Sequence, residues 1–224
     1  MKKIILSIAS FLVFVVVILV VNYVIWDQRS AKISEGRPII QRATKKQALL
    51  VIDIQEGITG TSSTSEFYVK QSEELIRVVN RIIESTARNG IPVIYVKNEI
   101  SNPLINILNS SLASGTPGAE LDSRLKVLSH YIVNKDRSDA FSNPLLDSIL
   151  INNEINSLVF VGLDLGECVN STIVAAVNRK YDICLIDDAL VADPDSLKDV
   201  LLDEFKQRGF DITSSNEYVE RLHR

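Results

Sequence analysis

The sequence predicts an α/β fold: a doubly wound, mostly parallel six-stranded sheet with helices on both faces, preceded by one N-terminal transmembrane helix. Two observations predict it. An uncharged apolar stretch extends from Ile4 to Trp26, and beyond residue 46 short, uniformly apolar runs alternate with longer amphipathic ones. Strands buried on both faces have continuous apolar sequences, and the alternation of strand and helix is typical of a parallel sheet.

The apolar stretch predicts a membrane anchor over residues 1–26. A helix rises about 1.5 Å per residue, so this one is long enough to cross a hydrocarbon core about 30 Å thick. Lys2 and Lys3 precede the stretch, and Tyr23 and Trp26 suit the membrane interface at its far end. A cleaved signal peptide is the alternative. The apolar core of a signal peptide spans about 7–15 residues and is followed by a small-residue cleavage site. The stretch from Ile4 to Trp26 is longer, and no such site follows it.

Residues 27–46 are polar and charged, which predicts a tether, and residues 47–224 are enough for one domain with a sizeable core. The side of the membrane that the domain occupies stays open. Six basic residues follow the span, whereas two lysines and the amino terminus precede it, so the charge count favours the cytoplasmic side. Short lysine-led anchors generally have the opposite orientation.

The formal net charge of −4 opposes nucleic-acid binding, and no basic stripe with interleaved aromatic residues is present in the sequence. The expected partners are therefore a small-molecule substrate and the membrane around the N-terminal helix.

Six apolar runs supply the predicted strands, which are, in chain order, ALLVID, IPVIYVK, HYIVNK, SLVFVG, YDICLID and FDITSS. The segments between them have helical spacing, and Gly90 and Gly209 are expected to end two of the helices. Ligands of such sheets bind at the carboxyl ends of the strands, near the point where the strand order reverses. Polar residues just past the strand ends are therefore the candidate site residues.

Four residues occupy such positions: Asp53, Lys97, Lys135 and Cys168. Each alone has an ordinary explanation, because an acid after a strand often caps a turn and a lysine there is usually solvated. Together they provide a nucleophile, a base and cations. The segment 97–99 is also expected to border the cleft.

No histidine is placed to act as the base. His130 starts its strand, at the opposite edge of the sheet, and His223 lies beside the C-terminus. The thiol proton of Cys168 must therefore go to a carboxylate, and Asp53 is the best placed. A neighbouring Lys135 is expected to lower the pKa of the thiol.

The two cysteines have different sequence surroundings. Cys168 follows the turn GLDLGE and is expected in the first turn of a helix, where unpaired N–H groups and the helix dipole favour a thiolate. Cys184 lies within the apolar run YDICLI, which indicates a packed and inert side chain.

Three segments resemble the isochorismatase-like cysteine hydrolase family, namely ALLVIDIQEG, KDRSDAFSNPLLDSIL and VGLDLGECVNSTIVAAVNRKYDICLIDDAL. The resemblance extends from about Gln47 to Glu217. It implies a six-stranded α/β/α domain with an Asp-Lys-Cys catalytic triad formed by Asp53, Lys135 and Cys168.

The same resemblance implies details of the turn that carries the cysteine. A cis peptide is expected between Leu163 and Asp164, and the backbone N–H groups of Asp164 and Cys168 are expected to form the oxyanion hole. Leu165 stands where the family usually has a threonine, so a hydroxyl that helps to organise this turn is missing.

Nicotinamidases of the family hold a metal with an Asp and several His near the first strand. The segment IQEGITGTSSTSEFYVK after Asp53 contains no His, so the resemblance implies neither a metal nor another cofactor. Family members commonly form oligomers, which makes a homo-oligomer an expectation from the resemblance alone.

True isochorismatases act without a cysteine nucleophile, so Cys168 implies a cysteine hydrolase that cleaves a small amide or related C–N bond through a thioester. Two alternatives stay open. One is vinyl-ether hydrolysis of an isochorismate-like compound on the same scaffold. The other is a catalytically inert, membrane-anchored binding or scaffold protein.

Overall fold

The structure, a computed structural model, describes residues 2–40 and 42–223. In this part of the chain, helices and strands alternate after a long first helix. The elements are α1 (Lys2–Ser30), β1 (Gln47–Ile52), α2 (Glu66–Arg88), β2 (Val93–Asn98), α3 (Pro103–Leu108), β3 (Ile132–Lys135), α4 (Pro144–Asn152), β4 (Ser157–Gly162), α5 (Asn170–Asn178), β5 (Asp182–Leu190), α6 (Asp195–Gln207), β6 (Asp211–Thr213) and α7 (Ser215–Leu222).

The six strands form one parallel sheet in the order β3-β2-β1-β4-β5-β6. The chain proceeds from β1 outward to β3 and then returns to place β4 on the other side of β1. The strand order therefore reverses between β1 and β4, where Ile52 pairs with Gly162. The predicted six-stranded parallel sheet with helices on both faces is confirmed, and the predicted binding position lies at the carboxyl ends of β1 and β4.

Each face of the sheet has its own apolar core. Leu50 and Ile52 of β1 point into a core shared with α4, α5 and α6, whereas Leu49 and Val51 point into a core shared with α2 and α7. Successive side chains of a strand alternate between faces, so burial on both faces requires the uniformly apolar sequence of β1.

Gly90 and Gly209 follow the ends of α2 and α6, with φ values of +70° and +82°. Their prediction as helix stops is confirmed.

The first helix covers the predicted span and continues to Ser30, so the predicted boundary at residues 26 and 27 lies inside it. It is the one described helix that is long and apolar enough to cross a membrane, and none of its apolar window is buried against the rest of the protein. Near its carboxyl end Asn22 Oδ1 accepts a hydrogen bond from Asn102 Nδ2 at 3.1 Å.

The segment that connects α1 to β1 lies against the domain. The Ser34 N–H donates to Asp139 Oδ2 at 2.8 Å, and the Ile39 N–H donates to the Arg179 carbonyl at 2.8 Å. The buried guanidinium of Arg179 pairs with Asp147 and donates to the Ser34 carbonyl at 3.3 Å. Residues of the predicted tether are thus attached to the segment before α4 and to the residue that follows α5.

Candidate active site

The three predicted triad residues lie together at the carboxyl edge of the sheet. Asp53 follows β1, Lys135 ends β3, and Cys168 lies in the turn after β4. Lys135 Nζ is 2.9 Å from Asp53 Oδ2 and 3.1 Å from Cys168 Sγ. The ammonium group therefore bridges the carboxylate and the thiol.

Asp53 is held in an unusual backbone conformation. Its φ of +56° lies in the left-handed region, which residues other than glycine rarely adopt and which is enriched at functional sites. Its N–H donates to the Val96 carbonyl at 3.0 Å, which attaches the residue to β2. The carboxylate is buried, and its Oδ1 makes no hydrogen bond with any residue that the structure describes. That oxygen is available to accept a proton.

The turn that carries Cys168 begins at a close approach of two strands. Gly162 has a φ of +114°, and a Cβ at this position would lie 2.1 Å from the Ile52 carbonyl oxygen. Only glycine fits there. Cys168 itself lies in a π-helical turn, Leu165–Val169, and α5 begins two residues later. The predicted first helical turn is therefore this π-helical turn rather than the regular helix.

Asp164 organises the turn through its side chain. The Leu163–Asp164 peptide bond is cis, as the resemblance implies. Asp164 Oδ1 accepts from the Gly166 N–H at 2.6 Å, and Oδ2 accepts from the Asp193 N–H at 2.6 Å and from the Tyr68 hydroxyl at 3.1 Å. Burial raises the pKa of Asp164, and these three donors oppose that shift.

Leu165, at the position where the family usually has a threonine, is fully buried and packs into the core beneath the turn. Its N–H donates to the Val191 carbonyl at 2.8 Å. The turn is thus held by the Asp164 carboxylate and by this backbone bond, and the missing hydroxyl is replaced by apolar packing.

The electrostatics of the thiol differ from the sequence-based expectation. Burial raises the pKa of Cys168, and Asp53 raises it further, while Lys135 opposes this only in part. Burial alone would lower the pKa of Lys135, but the carboxylate of Asp53 and the contact with Cys168 outweigh burial, and the pKa of Lys135 is raised. Lys135 lowers the pKa of the thiol, as expected, but the net pKa is raised, because the cost of burying a thiolate and the charge of Asp53 outweigh the attraction of one ammonium group. At neutral pH Cys168 is therefore a protonated thiol.

Cys184 lies in β5 with 2% of its surface exposed, within the core next to α2 and α7. Burial, followed by the charge of Asp211, raises the pKa of its thiol. The prediction of a packed side chain is confirmed.

Cys168 and Asp53 line a cavity of about 270 Å³. The loop after β1, the start of α2, the end of β2 and the turn after β4 form its walls. Of the segment expected at the cleft, Asn98 lines this cavity, but Lys97 and Glu99 do not. Lys97 is buried instead and pairs with Glu120 at 2.9 Å and with Glu99 at 3.2 Å.

Sequence reasoning missed two residues that shape the cavity. Tyr68, in the first turns of α2, lines it and donates to Asp164, and burial raises the pKa of its hydroxyl. Gln55 is fully buried, and its side-chain amide makes two hydrogen bonds with the backbone of Asn98. Nε2 donates to the Asn98 carbonyl at 3.0 Å, and Oε1 accepts from the Asn98 N–H at 2.7 Å. The motif ALLVIDIQEG contains Gln55, so its polar side chain next to an apolar run was the available signal.

Within residues 2–40 and 42–223, no group of three or more His, Cys, Asp or Glu side chains is arranged to hold a metal ion. The lining of the cavity contains no histidine.

Comparison with known proteins identifies the family. Residues 47–217 match the Isochorismatase domain. The chain belongs to the isochorismatase family. The ureidoacrylate amidohydrolase RutB of Acinetobacter baylyi is 30% identical to this family member over 177 residues, which are 67% of this chain and 72% of that protein. A "probable inactive nicotinamidase" of Arabidopsis thaliana is 28% identical over 192 residues, covering 80% of this chain and 97% of that one.

Solved structures of the isochorismatase family have the same architecture. N-carbamoylsarcosine amidase from Thermoplasma acidophilum superposes with a TM-score of 0.64 at 29% sequence identity, covering 76% of this chain and 96% of that chain. The predicted family is confirmed, and the protein is a hydrolase of the isochorismatase superfamily.

Proposed function

We propose that this isochorismatase-family protein is a cysteine hydrolase that cleaves a small amide or related C–N bond through a thioester. The observation that carries the proposal is the contact of one buried ammonium group, Lys135 Nζ, with both Asp53 Oδ2 and Cys168 Sγ. A nucleophile, a base and a cation within hydrogen-bond distance are the parts that acyl transfer needs. Relatives named as amidohydrolase and amidase support an amide substrate.

In the first half of the reaction, Cys168 Sγ attacks the carbonyl carbon while its proton moves to Asp53 Oδ1, the oxygen with no donor. The carbonyl oxygen becomes an oxyanion, which the backbone N–H groups of Asp164 and Cys168 stabilise. Asp53 then gives the proton to the leaving nitrogen, the C–N bond breaks, and an acyl group stays on sulfur.

In the second half, Asp53 takes a proton from water as the water attacks the thioester carbonyl. The tetrahedral intermediate collapses, the C–S bond breaks, and the proton returns to Cys168 as the acid leaves. Lys135 keeps its positive charge throughout, because Asp53 and the sulfur raise its pKa. Its role is to hold both groups in place and to balance their negative charge.

The test uses the full chain and a panel of small amides that covers neutral, cationic and anionic compounds. Ureidoacrylate and N-carbamoylsarcosine, which both carry a carboxylate, are the anionic members, and turnover of any member of the panel counts. Release of amine or ammonia and an acyl adduct on Cys168, seen by mass spectrometry, are the expected results. Cys168→Ala should abolish both, and Cys184→Ala, the matched control, should retain both. Amide turnover that persists in Cys168→Ala would overturn the proposal, as would hydrolysis of isochorismate alone.

We also propose that α1 crosses a membrane once and holds the hydrolase domain at its surface. Support comes from the length of α1, from the exposure of its apolar side chains and from the aromatic pair Tyr23 and Trp26 near its end. The charge count favours the cytoplasmic side for the domain.

A further inference from the structure

The charges that face the catalytic cavity have one sign. Its charged lining residues are Asp53, Asp164 and Glu167, and none of the described residues in the lining is a lysine, an arginine or a histidine. Lys135 lies behind this wall, fully buried, and its charge is already matched by Asp53. The side chain of Glu167 is exposed, one residue before the nucleophile.

Two cations of nearby chain segments, Lys97 and Arg124, have acidic partners of their own. Lys97 pairs with Glu99 and Glu120, and Arg124 donates to both carboxylate oxygens of Asp122. A carboxylate on a substrate would have to displace an existing partner to pair with either of these two cations, which costs the free energy of the broken ion pair.

Two further features of the wall attract anions. The backbone N–H groups of Asp164 and Cys168 are assigned above to the oxygen of the reacting carbonyl, which leaves the start of α2, because a helix N-terminus attracts anions. At the N-terminus of α2, side chains of the helix itself already supply the acceptor and the negative charge. Ser65 Oγ, at the N-cap, accepts from the Tyr68 N–H at 3.3 Å, and the carboxylate of Glu66 lies in the first turn of the helix. The remaining polar groups of this wall are hydroxyls, including those of Ser63 and Thr64.

From this lining we infer that the cavity selects by charge: it takes amides that are neutral or cationic, and it excludes amides whose non-reacting part carries a carboxylate. The inference rests on the proposed function, since it names the substrate class of the same site. Glu167 is the residue that sets this preference, because it is the exposed carboxylate at the cavity and it is not bound to Lys135. The volume of about 270 Å³ limits the substrate to a small molecule.

The test measures access of charged reagents to Cys168 and does not depend on turnover. Three methanethiosulfonates are compared: the cationic aminoethyl and the anionic sulfonatoethyl reagent, which both transfer a two-carbon chain, and the smaller neutral methyl reagent. Each forms a mixed disulfide with the sulfur and releases methanesulfinate. Rates at the Cys168 peptide are followed by mass spectrometry in the full chain and divided by the rates with free mercaptoethanol.

After this correction, we expect the cationic reagent to react at least about tenfold faster than the anionic one. Glu167→Gln should reduce that ratio about tenfold, because by Coulomb's law one charge about 6 Å away in a water-like dielectric changes each rate about threefold, and it changes the two rates in opposite directions. Glu167→Lys should reduce it further. The control is Glu220→Gln, an exposed glutamate of α7 outside the cavity lining, which should leave the ratio unchanged.

An anionic reagent that reacts as fast as the cationic one, or a ratio that Glu167→Gln leaves unchanged, would overturn the inference. Failure of the proposed function gives a different result. In that case no amide is turned over, while the order of the three labelling rates and its dependence on Glu167 persist.

Discussion

Replacement of Asp53 by asparagine tests the role of this residue most directly. The change keeps the size of the side chain and an oxygen that can accept from Lys135 Nζ, but it removes the negative charge and the proton acceptor. Hydrolysis of an amide substrate should fall by about 10²–10⁴-fold, the usual loss when a general base is removed. The raised pKa of Cys168 strengthens this expectation, because a protonated thiol cannot attack efficiently without a base.

The same substitution should also reduce stability, by an amount that the ion-pair geometry sets. At 2.9 Å and an effective dielectric constant of about 20, the attraction between Lys135 and Asp53 is about 6 kcal/mol before desolvation is considered. Leaving one member of a buried pair alone costs about 3–5 kcal/mol, and the retained hydrogen bond places Asp53→Asn near the lower value. Domains typically have about 5–15 kcal/mol in total, so the variant should still fold.

The assay therefore combines kcat/KM for amide hydrolysis with the free energy of unfolding from denaturant titration. Asp122→Asn is the matched control. Asp122 is a buried carboxylate that accepts from Arg124 at 2.6 Å and from Thr59 at 2.8 Å, and it does not line the cavity. We expect the control to lose comparable stability and to retain turnover. Normal turnover by folded Asp53→Asn would refute the assignment of Asp53 as the base.

Four further predictions concern the thiols, the anchor, the metal and the attached segment. Iodoacetamide should label Cys168 much faster than Cys184, because only Cys168 lines the cavity. The labelling rate at Cys168 should keep rising above about pH 8.5, the pKa of an exposed thiol, because burial raises the pKa of Cys168. Peptide mass spectrometry at several pH values measures both rates, and equal labelling of the two cysteines or a plateau near pH 7 would contradict these predictions. Carbonate washing should leave the full chain in the membrane pellet and release a variant that lacks residues 2–30, whereas an intact full chain in the wash would refute the anchor. Chelation should leave amide turnover unchanged, and a large loss that zinc reverses would show that a metal had been missed. Arg179→Met should speed proteolysis within residues 31–46, because the guanidinium no longer binds the Ser34 carbonyl. The surface variant Arg221→Met is the control. Equal cleavage of the two variants would count against this attachment.

The fold and the positions of the chemical groups followed from local sequence patterns. Uniform apolarity in runs such as QALLVI requires burial on both faces, and that burial occurs only in a sheet covered by helices on two sides. Parallel strands then bring Asp53 and the Cys168 turn to one edge, so their neighbourhood could be predicted without coordinates. Lys135 lies at the same edge of the sheet. Its long side chain allows the ammonium group to reach both Asp53 and Cys168.

Quantities that depend on three-dimensional surroundings could not be predicted in this way. The pKa of Cys168 depends on how much solvent the fold removes, and burial reversed the direction that a nearby lysine and a helix N-terminus had indicated. The docking of the segment after α1 depends on the guanidinium of Arg179, more than a hundred residues further along the chain. Polar composition indicated a tether but contained no information about that contact.

The charges of the triad, in which Asp53 and Lys135 are buried and Cys168 is partly buried, explain why a thiol with a raised pKa suits this site. In the resting arrangement a neutral thiol, one carboxylate and one ammonium group sum to zero charge. Transfer of the proton from Cys168 to Asp53 produces a thiolate and a neutral carboxylic acid beside the same ammonium, and the sum is again zero. Releasing that proton to solvent would instead leave two anions against one cation inside the protein, which is unfavourable in a poorly solvated site. Burial thus disfavours a free thiolate but not the internal proton transfer, so the site directs the proton to the base that later delivers it to the leaving nitrogen.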